Sequence, residues 1–212
     1  MAKASTEKAF YRWTRDLHLY LGLFVSPFVI AFAASVFFLN HARVDVGAST
    51  STATFRDVTI PPGIETARGR EAVDLARTIV NQVGVTGEIG FVRVIRKEQR
   101  LVIPVSRPGL EAIVDVDVSM RTAAVSRRLT GLLESVSYLH KTPGPHNADL
   151  RGNWLWTRVW RWLADGTVYL VLFISATGLY LWLAIKAERR IGFALLAAGA
   201  VSFVGLLYGL AF

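Results

Sequence analysis

The sequence predicts a membrane protein with three transmembrane α-helices and an α+β domain between helices 1 and 2. Two observations carry this fold class. First, Leu17 to Leu39, Gly166 to Ile185 and Ile191 to Phe212 contain no charged residue. At 1.5 Å of rise per residue, each run is long enough to cross a hydrocarbon core of about 30 Å. Lipid cannot satisfy unpaired backbone groups, so runs of this kind cross it as helices. Second, the stretch between the first two runs is polar and carries short periodic apolar patterns, as a domain folded in water does. The mean hydropathy of +0.38 over 212 residues is the sum of these two kinds of segment.

Taken in order, residues 1–16 are a basic N-terminus and 17–40 the first span. Ala31-Phe32-Ala33 has the small-x-small pattern of a cleavage site, but the apolar run continues through Val36-Phe37-Phe38-Leu39. That is longer than a signal core, so a retained anchor is expected. Residues 41–140 form the domain. Asn40 to Thr59, rich in Ser, Thr, Ala and Val, reads as a linker leading into a strand, and Ile60-Pro61-Pro62-Gly63 as a turn. Ala72, Val73, Ala76, Ile79, Val80 and Val83 are spaced for one face of a helix over Arg70 to Val83, closed by Gly84. Strands are expected at Ile89 to Ile95, Leu101 to Val105, Ala112 to Val118 and Ala123 to Val125, as an antiparallel meander. Leu129, Leu132, Leu133, Val136 and Leu139 repeat the helical spacing. Residues 141–165 then carry Trp154, Trp156, Trp160 and Trp162 with Arg158 and Arg161, a belt suited to the lipid headgroup level. Spans two and three follow at 166–186 and 191–212, joined by the loop 187–190.

Lys3, Lys8, Arg12 and Arg15 precede the first span, and Lys186, Arg189 and Arg190 follow the second. Basic residues close to spans are retained in the cytoplasm. The N-terminus and the 187–190 loop are therefore expected inside, with the domain and the C-terminus outside. The outer segment has 17 Lys/Arg against 13 Asp/Glu, but a long domain contributes little to orientation. No dense basic run interleaves with aromatics, which argues against nucleic acid as a partner. With no cysteine in the chain, disulfides, iron–sulfur clusters and cysteine-linked haem are excluded.

The run EAVDLARTIVNQVGVTGEIGFVRVIRKEQRLVIPVSRPGLEAIVDVDVSMRTAAV resembles a PepSY domain: a helix, a Gly-Val-x-Gly turn at Gly84 to Gly87, then strands ending in Val116-Asp117. Ser119-Met120-Arg121-Thr122 stands where that family often has a Thr-Gly turn. The flanks resemble PepSY-associated transmembrane proteins. RDLHLYLGLFVSPFVI is similar to their first helix, with His18 and Gly22; YLHKTPGP to their Leu-His element; FISATGLYLWL to their Ser-x-x-Gly-Leu-x-Leu-Trp signature. The resemblance covers almost the whole chain and implies a bacterial inner-membrane protein of the short, three-helix branch, its PepSY domain outside. Larger relatives resemble haem-containing reductases of iron–siderophore complexes.

Four histidines are candidate haem ligands: His140, His18, His41 and His146. A bis-histidine b-type haem needs two imidazoles on opposite sides of one iron. His18 and His41 are about 34 Å apart along a helix, and spans two and three contain no histidine. His18 thus needs a partner from a second copy or another subunit; the alternative is an interfacial residue reaching water or phosphate. His41, His140 and His146 could converge at the outer face, or point into solvent. Asp115 and Asp117 lie on one side of a strand and read as a solvated face. Arg127, Arg128, Lys141 and Arg151 could hold an anionic ligand, with lipid headgroups favoured. The shortage of paired ligands places a binding or accessory subunit first, working with other membrane subunits or as a homodimer. A haem-containing reductase of iron or iron–siderophore uptake stands second.

Overall fold

The computed structural model describes residues 2–41, 49–141, 149–185 and 189–211. It comprises two units, one of Met1–Pro27 with Thr167–Phe212, the other of Phe28–Gly166.

Three helices are long and apolar enough to cross a membrane: α1 (Ala2–His41), α4 (Leu155–Ile185) and α5 (Arg189–Ala211). The chain is a multi-pass membrane protein. α1 and α4 each contain one of the uncharged runs and begin well before it, while α5 begins two residues before the third. α1 takes in residues 2–16, where Ala, Lys, Glu and Arg are good helix formers that add turns cheaply to an existing helix. It continues through Pro27, beside which Ser26 Oγ donates to Gly22 O at 2.7 Å. α4 begins at Leu155, so most of the Trp/Arg belt forms its first turns. No described residue of α5 is buried, as suits a helix apolar on every side and solvated by lipid. α5 approaches α4 closely at Gly192: a Cβ there would lie 2.1 Å from Trp182 Cζ2. Any side chain at 192 would displace the indole.

The second unit holds the α+β domain. Its strands are β1 (Thr50–Phe55), β2 (Glu88–Ile89), β3 (Arg93–Ile95), β4 (Arg100–Arg107), β5 (Leu110–Asp117) and β6 (Thr122–Leu129). All pairings are antiparallel, in the order β1-β6-β5-β4-β2, with β3 also on β4. The expected meander is present, and β1 adds a strand on the far side of β6. The run expected as one strand over Ile89 to Ile95 is two short strands. The reason is Pro104 on β4, which has no N–H for the ladder. Pairing passes from Ile89↔Val105 to Arg93↔Val102, a shift of one residue that marks a bulge opposite the proline.

α2 (Gly69–Gln82) packs Ala72, Val73, Ala76, Ile79 and Val80 into the core. The sheet supplies Leu101, Ile103, Val105, Ala112, Val114, Val116, Ala123 and Val125. Along β5 burial alternates strictly, the period-two pattern read from the sequence. Burying Ile79 or Val73 is worth about 1.5–3 kcal/mol relative to exposure. Arg127 donates to Val83 O at 3.1 Å, covering a carbonyl at the C-terminus of α2.

The departure at Ser119 to Thr122 has a local structure. Asp117 Oδ1 accepts from Ser119 Oγ at 2.6 Å and from Met120 N at 2.8 Å. These bonds, the Ser119 hydroxyl first, hold the Asp117 carboxyl below its usual range. Arg121 closes the turn at φ 54, where glycine would sit without strain.

The segment leading into α4 is docked on the sheet. Leu150 is in the core, and Gly152 N donates to Oε1 of the buried Glu88 at 2.6 Å. Asn153 Oδ1 accepts from Ile89 N at 3.0 Å, while its Nδ2 donates to Ile89 O at 2.7 Å. One carboxamide thus pairs both backbone groups of Ile89, as a neighbouring strand would. The β2 edge is closed by a side chain.

Candidate functional site

Two histidines lie among the described side chains, one in each unit. His18 is on α1, and its Nδ1 is 2.8 Å from Thr177 Oγ1 on α4. The Thr177 hydroxyl donates back to Phe173 O at 2.8 Å, so its oxygen is left to accept. Nδ1 then carries the hydrogen, and the network assigns the Nδ1–H tautomer. The ring rests against Gly178: a Cβ built there would meet His18 Cε1 at 3.4 Å. Among the described residues Nε2 has no hydrogen-bond partner.

His140 is on α3 (Leu132–Lys141), and its Nδ1 is 3.1 Å from Ser35 Oγ on α1. Ser35 is buried, 2% exposed, and its hydroxyl donates to Phe32 O at 2.6 Å. The same reasoning puts a hydrogen on Nδ1 and leaves Nε2 outside this hydrogen bond. Phe32 meets the His140 ring edge-on at 6.0 Å between centroids and the Trp160 ring at 5.5 Å. Trp160 Nε1 donates to Leu139 O at 3.0 Å. The tryptophan thereby holds the end of α3 from which His140 projects.

Both imidazoles are thus fixed by one device: a helix hydroxyl spends its proton on a carbonyl in the preceding turn and accepts from Nδ1. Histidine ligates metals with its second ring nitrogen anchored in this manner. His18 has no second imidazole in its own unit, because residues 167–212 contain no histidine. The side chain of His41 and residues 142–148, which include His146, lie outside the described residues. Among those described, no three His, Asp or Glu side chains gather as a metal site.

Other sequence candidates have structural partners. Asp115 pairs with Arg100, which also bonds Glu98 at 3.0 Å, while Asp117 caps its turn. Arg128 is paired with Glu134 and Glu111, and Arg127 caps α2. Of the four cations considered for an anion, these two are already engaged. Ser35 and Thr177 were not legible as site residues. Thr177 lies inside the FISATGLYLWL motif, but only the fold brings it to His18.

The fold and these sites define a multi-pass membrane protein with an α+β domain between its first two spans. Residues 12–210 match the family described as Putative PepSY_TM-like. The chain belongs to that family. Comparison with curated proteins and with solved structures gives no match.

Thr177→Val keeps the shape and removes the acceptor for His18. An interhelical bond of this kind is worth about 0.6 kcal/mol, and at most about 1.7, so the protein is expected to fold with slightly lowered stability. Nitrogen NMR of the imidazoles should show His18 losing its fixed Nδ1–H tautomer while His140 is unchanged. Retention of that tautomer would contradict the assignment.

Proposed function

We propose that this chain is a bacterial inner-membrane binding or accessory subunit that engages a partner chain through its extracytoplasmic α+β domain. The observation that carries this reading is the unequal treatment of the two sheet edges. Asn153 closes the β2 edge, whereas among the described residues the outer edge of β1 has no backbone partner. β1 is TSTATF, six residues with no charge, no proline and no glycine. Proteins normally protect such edges with Lys, Pro, bulges or short strands.

Register identifies the groups on offer. Leu129 N donates to Ser49 O, so Ser49 and Leu129 form a hydrogen-bonded pair and alternate residues of β1 turn inward to β6. Ser51, Ala53 and Phe55 are paired, while Thr50, Thr52 and Thr54 direct N–H and C=O outward. An extended segment of a partner can add here as a further strand, with the β-branched threonines favouring the conformation.

Proline distinguishes the two faces of this strand. Thr52→Pro removes an outward N–H and is expected to leave pairing with β6 intact, whereas Ala53→Pro removes an inward bond worth about 1 kcal/mol and strains the ladder. A photo-crosslinker at Thr50 should capture a discrete partner in cells, with capture abolished by Thr52→Pro. Equal capture by a folded Thr52→Pro protein would refute strand addition.

Sidedness rests on the basic residues flanking the spans. Because the chain has no cysteine, a single Arg107→Cys gives an unambiguous label. It should react with a membrane-impermeant maleimide from outside intact spheroplasts. Labelling only after lysis would place the domain in the cytoplasm.

A second reading is favoured by the anchored imidazoles. His18 and His140 would each hold b-type haem through Nε2, together with residues of a second copy or another subunit. When bound, such a group carries single electrons toward a ferric substrate. Thr177 and Ser35 would orient the rings, and Phe32 and Trp160 would shield His140. Purified protein supplied with haem is expected to show a Soret band lost on His18→Ala or His140→Ala. A wild-type spectrum without one would end this reading.

A further inference from the structure

The structure assigns a second binding site, independent of both readings above: a cavity of about 400 Å³ in the Phe28–Gly166 unit that takes a phosphate-bearing anion. Five arginines line it. Arg70 and Arg77 come from α2, Arg151 from the docked segment, and Arg158 and Arg161 from the first turns of α4. Asp74 is the one acidic residue in the lining. Among the described residues none of the five is ion-paired, although Arg15, Arg100 and Arg128 elsewhere all are. Five guanidinium groups around one concavity outnumber its single carboxylate and repel one another, and the arrangement is relieved by an anion. Guanidinium presents paired N–H donors in the geometry of phosphate oxygens.

Two features show that the cavity is shaped. Gly152, at φ +77, lies beneath the Arg158 and Arg161 side chains, and a Cβ there would come within 3.2 Å of Arg158 Cγ. The backbone turn at 152 is held from behind by Glu88.

Its place in the sequence indicates what phosphate reaches it. Arg158 and Arg161 lie at the start of a membrane-crossing helix, and Trp162 beside them is 80% exposed. Basic and aromatic residues at that position sit at headgroup level. The shared ligand chemistry is a phosphate group, carried by an anionic lipid headgroup or by a soluble phosphate compound.

The test uses full-length protein in neutral detergent. Native mass spectrometry compares phosphatidylglycerol with phosphatidylcholine, and phosphorus NMR follows inorganic phosphate. Wild type is expected to prefer phosphatidylglycerol by about tenfold or more, or to bind inorganic phosphate; the first result assigns the lipid source and the second the soluble one. Arg70→Gln with Arg77→Gln, and separately Arg158→Gln with Arg161→Gln, should lower that binding by about tenfold. Arg107→Gln, an exposed arginine outside the cavity, should leave it unchanged. The site is overturned if wild type binds neither probe, if neither folded double variant weakens binding, or if Arg107→Gln weakens it equally.

Discussion

Every backbone N–H and C=O taken out of water needs a partner, and this demand shapes both units of the chain. In lipid it is met within each helix, which is why α1, α4 and α5 are long and continuous. In the α+β domain it is met by the antiparallel ladder and, beyond β2, by the Asn153 carboxamide. The bulge opposite Pro104 follows from the same rule, because a residue without an N–H cannot extend a ladder. β1 stands apart. Half of its backbone groups are paired to β6, and the other half face outward along an uncharged strand. Among the described residues one sheet edge is closed by a dedicated side chain, and the other, where we propose that a partner strand adds, presents unpaired backbone groups.

Side-chain hydroxyls solve a related problem at the histidines. Thr177 and Ser35 each donate to a carbonyl of their own helix and accept from an imidazole Nδ1. The arrangement satisfies three polar groups with two hydrogen bonds and fixes the ring. It also tells the two ring nitrogens apart, engaging Nδ1 and leaving Nε2 outside the hydrogen bond. Helix cohesion and ring orientation therefore use the same atoms. The tethering of His18 ties α1 to α4, and that of His140 ties α1 to α3.

Much of the architecture was legible because its signals are local. Three uncharged runs specify three helices, and Ala72 to Val83 specifies α2 by spacing alone. Alternation along Ala112 to Val118 predicts a strand buried on one face, as β5 is. What stayed hidden depends on long-range placement. The pairing of β1 with β6 joins residues more than 60 positions apart in sequence, and no local pattern announces it. Pro104 lies inside a run with strand periodicity, and its effect falls on the partner strand, which no local pattern reports. His18 and His140 were visible as candidates, whereas Thr177 and Ser35 were not, since Ser and Thr in apolar helices commonly bond their own backbone. The four cations the sequence offers to an anion separate in the fold. Arg151 faces a cavity, but Arg127 and Arg128 are engaged by a helix end and by two glutamates, while Arg70 and Arg77 join from a helix whose polar face carried no separate signal.

The open edge of β1 is tested most directly by residue-resolved hydrogen exchange, comparing the protein in native membranes with the purified chain. In the purified chain, amides of Ser51, Ala53 and Phe55 should be protected and those of Thr50, Thr52 and Thr54 should exchange freely. In native membranes the threonine amides should become protected as well. Threonine amides that exchange at the same fast rate in both settings would mean that nothing pairs with this strand, and the partner role would have to be abandoned.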